Sequence, residues 1–175
     1  MGRFAVGILA LPLLVVGGSA GAGTSPETFP LYWVGERVDG LPLAASLRRD
    51  DTARYVSFVY GDCEASSDAG CAPPAEIQVW PSCLRNLALY DDPQASVGRP
   101  PGRIAVRGVP AAFFDDGTRL ELETEGSTIV VFAGSRGGAL TIAAALRSLD
   151  DSVAAGHPFP ARREGVSQEE GVQSC

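Results

Sequence analysis

The sequence predicts an α+β fold, a mostly antiparallel sheet covered by a C-terminal amphipathic helix, on three observations. Short runs rich in β-branched and aromatic residues follow one another between Leu31 and Ala133, at strand length and with period-two alternation. Turn signals punctuate them: Val38-Asp39-Gly40, Asp116-Gly117 and Glu125-Gly126. After Gly134 the period changes, and Ile142, Ala145, Leu146 and Leu149 fall at i, i+3, i+4 and i+7. Neither a half-apolar sheet nor a one-striped helix can bury its apolar side alone, so the stripe is expected on the sheet.

Each element has its own warrant. Residues 31–34 and 43–47 are short apolar runs on either side of the Asp39-Gly40 turn. Residues 53–60 alternate Tyr55, Ser57 and Val59 against Val56, Phe58 and Tyr60, and residues 76–80 place Ile77 and Val79 on one side. Ser82 reads as the N-cap of a short helical stretch over 83–90, followed by a Pro- and Gly-rich loop over 92–102. Residues 103–109 alternate again, and 111–114 continue that strand. Asp116-Gly117 then turns the chain as a hairpin, and Leu120-Glu121-Leu122-Glu123 alternates as though one face were wet and one buried. Ile129-Val130-Val131-Phe132 is apolar on both faces, which places it mid-sheet or under a helix. The helix is expected from near Gly138, with Thr141, Arg147 and Ser148 on its wet side.

Outside this core, the N-terminus reads as an export signal. Arg3 supplies a positive charge, residues 4–16 are uncharged and apolar, and Ala20-Gly21-Ala22 is an A-x-A cleavage pattern. Residues 1–22 are therefore expected to be a signal peptide, 23–28 a linker, 29–149 a single domain and 150–175 a disordered tail without apolar periodicity. The alternative is a membrane anchor through residues 4–23. That run holds 13 residues before Gly17-Gly18, with Gly7 and Pro12 inside it, short of the roughly 20 a spanning helix needs. The expected location is secreted or cell envelope, with membrane association only if the N-terminal segment is retained.

Composition narrows the partners. All 14 basic residues are arginine, and the net charge is −7. A negative chain without a basic stripe is a poor ligand for nucleic acid or an anionic membrane. The expected partner is an unknown envelope or extracellular one. Phosphate-cradling G-x-x-x-x-G-K-[ST] and dinucleotide-binding G-x-G-x-x-G patterns are both absent, so no cofactor is expected.

Arg107-Gly108-Val109-Pro110-Ala111, the Asp116-Gly117 hairpin, Ile129 to Phe132, and the helical run from Ala143 through Arg147 to Leu149 together resemble uncharacterised exported domains of bacteria. The same residues are similar to the hairpin-plus-helix unit of lipoprotein-carrier-like periplasmic domains. The resemblance covers about a quarter of the chain and carries no catalytic motif. It implies architecture and leaves the cysteine-bearing first half outside it.

Four cysteines, Cys63, Cys71, Cys83 and Cys175, allow three full pairings. If the strand ending at Tyr60 pairs with the one beginning near Glu76, Cys63 and Cys71 sit at the mouth of their connecting loop, within disulfide reach. Cys83 would lie a strand length away. Cys63–Cys71 is therefore expected, with Cys83 and Cys175 as the candidate second pair or left free. No C-x-x-C occurs and His157 is the only histidine, so no metal site is expected.

Candidate chemistry is thin. Ser135 and Arg136, between a strand and a helix, form a candidate anion site because helix N-termini present backbone N–H groups. Cys83 with His157 would need the histidine held in hydrogen-bond reach. The pairs Asp50-Asp51, Asp91-Asp92 and Asp115-Asp116 sit at turn-like places where carboxylates are solvated. Trp33, Trp80, Arg85 and Tyr90 form a candidate binding patch, since aromatic and arginine side chains dominate interaction hot spots. The sequence thus favours an exported non-enzymatic binding or interaction domain. The alternatives are a carrier of an apolar ligand in the cell envelope and an uncharacterised hydrolase.

Overall fold

The computed structural model describes residues 29–51, 53–62, 72–91 and 102–162. The segment read as signal and linker lies outside them, as do Cys63, Cys71 and Cys175. An eight-stranded antiparallel sheet dominates. Its strands are β2 (Arg37–Val38), β3 (Leu41–Arg49), β4 (Tyr55–Tyr60), β5 (Ala75–Pro81), β6 (Arg103–Val106), β7 (Val109–Phe114), β8 (Arg119–Glu123) and β9 (Ser127–Ala133). Their spatial order is β2-β3-β4-β5-β9-β8-β7-β6. Each half is a meander of sequential strands, and the halves join where β5 pairs with β9 from Ala75↔Ala133 to Pro81↔Ser127. A separate ribbon pairs β1 (Tyr32–Trp33) with β10 (Arg147–Ser148). One α-helix is present among the described residues, α1 (Arg136–Ala145).

Alternation sorts the side chains onto two faces. Val56, Phe58, Ile77, Val79, Leu120, Leu122, Ile129 and Val131 point to one face and form the main core with Ala139, Ile142, Ala143 and Leu146 of the helix region. The helix packs over β8 and β9, and its alanines let the backbone come close to the sheet. Ser135 caps α1 by accepting a hydrogen bond from the Gly138 amide at 3.1 Å. The doubly apolar β9 is central, flanked by β5 and β8.

The helix is shorter than its apolar period suggests. It ends at Ala145, Leu146 turns extended (φ −56°, ψ 138°), and Arg147–Ser148 become β10. The Leu149 amide donates to the Leu31 carbonyl, and the Leu149 side chain is 48% exposed. Pairing with β1 takes the backbone that a longer helix would have used. Leu149 is therefore not part of the buried stripe.

Three other expectations are corrected. The 103–114 run is two strands: Val106 pairs with Val109 across a two-residue turn, Arg107-Gly108, in which both φ angles are positive (50° and 86°). An arginine signals such a turn far less clearly than Asn-Gly does. Residues 83–90 are not one capped helix. A turn follows Pro81, and a 3-10 helix at Leu87–Tyr90 is capped by Asn86, whose side chain accepts from the Leu89 amide. Finally, residues 150–162 are no loose tail, because Val153 and Phe159 are buried in the main core.

That last segment is held by Arg107. Its guanidinium donates to four carbonyls: Ala143 (3.2 Å) and Leu146 (2.6 Å) at the end of α1, and Ala154 (2.8 Å) and His157 (2.6 Å) beyond it. The Phe159 amide returns a bond to the Arg107 carbonyl at 2.9 Å, and the guanidinium lies 3.9 Å over the Phe159 ring. A left-handed non-glycine residue costs about 1–2 kcal/mol, whereas one hydrogen bond to a charged donor returns about 1.5–3. The strain is offset several times over.

Arg107→Asn keeps a residue that tolerates the turn and removes the fork. We expect it to lower stability by about 2–4 kcal/mol through unsatisfied carbonyls, and to expose residues 150–162 to proteolysis while the rest of the domain stays folded. Unchanged cleavage and an unchanged melting temperature would show that Arg107 does not hold the segment.

Candidate functional site

The face of the sheet turned away from α1 carries polar and aromatic side chains in cross-strand rows. Register puts Ser57, Gln78, Val130 and Glu121 in one row across β4, β5, β9 and β8. Glu76, Phe132 and Arg119 form the next, and Trp80, Thr128 and Glu123 another. The 3-10 helix after β5 crosses part of this face, and there Leu87 and Tyr90 pack on Ala112 and Phe114 as a second, smaller apolar cluster.

Beneath that crossing lies a buried charge. Glu121 has no exposed surface. Arg85 reaches both of its carboxylate oxygens, with Nε 3.1 Å from Oε2. The Tyr90 hydroxyl donates to the same carboxylate, 2.9 and 3.1 Å from its two oxygens, and accepts from Arg85 Nη2 at 3.0 Å. Burial works against the Arg85 charge, yet the hydrogen bond and charge of Glu121 outweigh it and hold the guanidinium pKa up. Burial and then the Glu121 charge push the Tyr90 hydroxyl up to about 12. Arg119 stands between Asp115 (3.1 Å) and Glu121 (3.6 Å). The alternation of Leu120 to Glu123 therefore does not mark a wet face, because Glu121 and Glu123 are both buried. A charge can be buried when it is paired and hydrogen-bonded, and these are.

Above this floor stands Trp80. Its ring stacks on Tyr55 with centroids 4.3 Å apart, and Arg85 lies 5.2 Å from its centre. Its indole N–H donates to Gln78 Oε1 at 3.1 Å. Gln78 passes the chain on to Glu76 Oε1 at 2.9 Å, which also accepts from Ser57 at 2.6 Å. Tyr55, Glu76, Gln78, Trp80 and Arg85 all keep part of their surface in solvent.

Three of the four expected patch residues thus meet. Trp80 and Arg85 touch, and Tyr90 lies buried beneath them as a support rather than a contact surface. Trp33 does not join them. It packs beside Phe58 (6.0 Å) on the core side of the sheet, with Arg147 over its ring. Tyr55 is one of the first-half aromatics but lies outside the expected patch, and Glu76, Gln78 and Glu121 are not singled out by the sequence. Only strand register assembles them, and the one local sign was the alternation of Glu76, Gln78 and Trp80.

The remaining candidates are spent on structure. Ser135 already occupies the Gly138 amide that an anion would use, and the Arg136 guanidinium lies 4.1 Å from the centre of the Phe113 ring. Cys83 is not a free thiol, and His157 meets Arg107 through its carbonyl. Asp50 pairs with Arg48 and Asp51 with Arg49 at the surface. Among the described residues, no group of three or more His, Cys, Asp or Glu side chains could hold a metal ion, and no helix is long and apolar enough to cross a membrane.

Tyr90 gives the site a pH signature. Its folded pKa, about 12, lies above the ordinary value of 10, so the native state holds its proton more tightly than the unfolded chain. Its contribution to stability is complete below about pH 10 and is lost as pH rises toward 12. We expect unfolding free energy to fall with pH across that window, less steeply in Tyr90→Phe. Parallel curves for the two proteins would show that this hydroxyl does not titrate late.

Comparison of the chain with protein-family models, with curated proteins and with solved structures gives no match.

Proposed function

We propose that this chain is an exported, non-enzymatic domain that binds a partner through the Tyr55–Trp80–Arg85 side of its sheet. The observation that carries the reading is the fixation of Trp80: an aromatic ring stacked on one neighbour, hydrogen-bonded to a second, beside the guanidinium of a third, and still partly exposed to solvent. A pre-ordered aromatic anchor loses little side-chain entropy on binding, which is why such residues dominate hot spots.

Chemistry on this face favours binding over turnover. The most buried carboxylate, Glu121, has both oxygens engaged by Arg85 and Tyr90. A general acid or base would need one of them available. Export supplies the setting, and the N-terminal pattern of residues 1–22 supports it. The pairing of β4 with β5 up to Tyr60↔Ala75 supports Cys63–Cys71 as the first disulfide, leaving Cys83 for Cys175.

The reading is tested by screening the exported protein against arrays of extracellular glycans and peptides, beside Trp80→Ala. A ligand found this way should lose about 2 kcal/mol or more of affinity in the variant. Equal affinity for both proteins would place recognition elsewhere. Conversion of an array compound into product would overturn the non-enzymatic reading.

A further inference from the structure

We propose that the outer edge of β3 is a strand-addition site at which a second copy of this chain pairs antiparallel, about a two-fold axis through Leu47. The inference is independent of the Trp80 reading.

Among the described residues, the edge is open over a defined window. β2 is two residues long and pairs only with Leu41 and Pro42. The Leu43 amide is also taken, by the Glu36 carbonyl at 2.8 Å. A register shift between Leu43 and Ala45 marks a bulge at Ala44. From Ala45 to Arg49 the strand pairs regularly with β4 on its inner side, from Val59 back to Tyr55. On the outer side of those residues no described strand is present. Ser46, Leu47, Arg48 and Arg49 are all exposed. An unpaired row of N–H and C=O groups is a template for another strand.

The contents of the window point to self-pairing. Its midpoint is Leu47, a large apolar side chain 42% exposed. A two-fold axis there sets Leu47 against its own copy, Ser46 against Arg48 and Ala45 against Arg49, so each arginine meets a small side chain. Moving the axis to Arg48 or Arg49 puts an arginine against itself, which is unfavourable in a cross-strand pair. Moving it to Ser46 runs the pairing into the bulge. One symmetric register therefore uses the whole window and opposes no like charges. The chain's charge of −7 repels a second copy at long range, so added salt should favour association until that repulsion is screened.

Sedimentation equilibrium on the exported protein, from micromolar to millimolar concentration, tests this. Wild-type protein should form a dimer. Leu47→Asp should weaken it at least about tenfold by opposing two carboxylates, with an unchanged circular dichroism spectrum. Ser46→Glu should tighten it about fivefold at low salt by facing Arg48 of the other copy twice, and high salt should erase the gain. Should Leu47→Asp fail to fold, Ser46→Glu decides alone, because Ser46 is exposed. A wild-type monomer throughout would overturn the proposal and make the bulge and arginines guards against pairing. A dimer indifferent to Leu47→Asp, or weakened by Ser46→Glu, would overturn it as well.

Discussion

The Arg107 guanidinium is the contact on which the arrangement of helix, hairpin and final segment depends. It sits in a two-residue turn between β6 and β7, where its backbone is left-handed. From there it reaches the end of α1 and the two carbonyls beyond it. The carbonyls that end a helix have no partners within it and carry partial negative charge, so a planar cation with several donors suits them. Burial lowers the Arg107 pKa, offset in part by Tyr32, and the group remains a cation at any ordinary pH. One side chain thereby ties the end of α1 to the returning chain at Ala154 and His157, and lies over Phe159 where that ring meets Tyr32 edge-on at 5.3 Å.

A second arginine organises the opposite face by a different logic. Arg85 answers a carboxylate rather than carbonyls, and does so under cover. A buried pair of this kind adds little net stability, because desolvating both charges consumes most of their attraction, yet removing either partner is costly. What it secures is position. Thr128 hydrogen-bonds to the Arg85 carbonyl, and Leu87 donates from its backbone to Glu123 at 3.4 Å, so the crossing segment is fastened at several points to β8 and β9. Trp80 inherits that rigidity through Arg85 and Gln78.

Much of the sheet was legible in the sequence because its signals are local. Asp116-Gly117 turns the chain between β7 and β8, and Glu125-Gly126 does so before β9. The doubly apolar stretch at Ile129 does lie mid-sheet. Misreadings arose where a distant partner decided the outcome. Glu121 reads as solvent-facing until Arg85, 36 residues earlier, is brought onto it. Residues 150–162 look too polar to fold because their anchoring groups are backbone carbonyls, and these leave no trace in side-chain pattern. Leu149 fits the helical period but follows a backbone already committed to β1. Trp33 and Trp80 look equivalent as strand aromatics, but Trp80 lies in the main sheet while Trp33 lies in the separate β1–β10 ribbon and packs beside Phe58 on the core side.

The two faces therefore divide their tasks by how completely each is closed. On the α1 side, apolar side chains from β4, β5, β7, β8 and β9 meet the helix and Phe159 in a continuous core, where a buried methylene has no role other than packing. On the other side the covering segment spans β7 and β8, while the β4–β5 half keeps partly exposed polar and aromatic groups. Those groups are not left over from an incomplete core, since their hydrogen bonds run in an ordered chain from Trp80 through Gln78 to Glu76 and Ser57. A surface that stays in water yet is fixed this firmly has already lost the conformational freedom that recognition would otherwise cost. Fixed floor, ordered aromatic and partial exposure coincide at Trp80, and the proposed recognition on this half of the sheet rests on that coincidence.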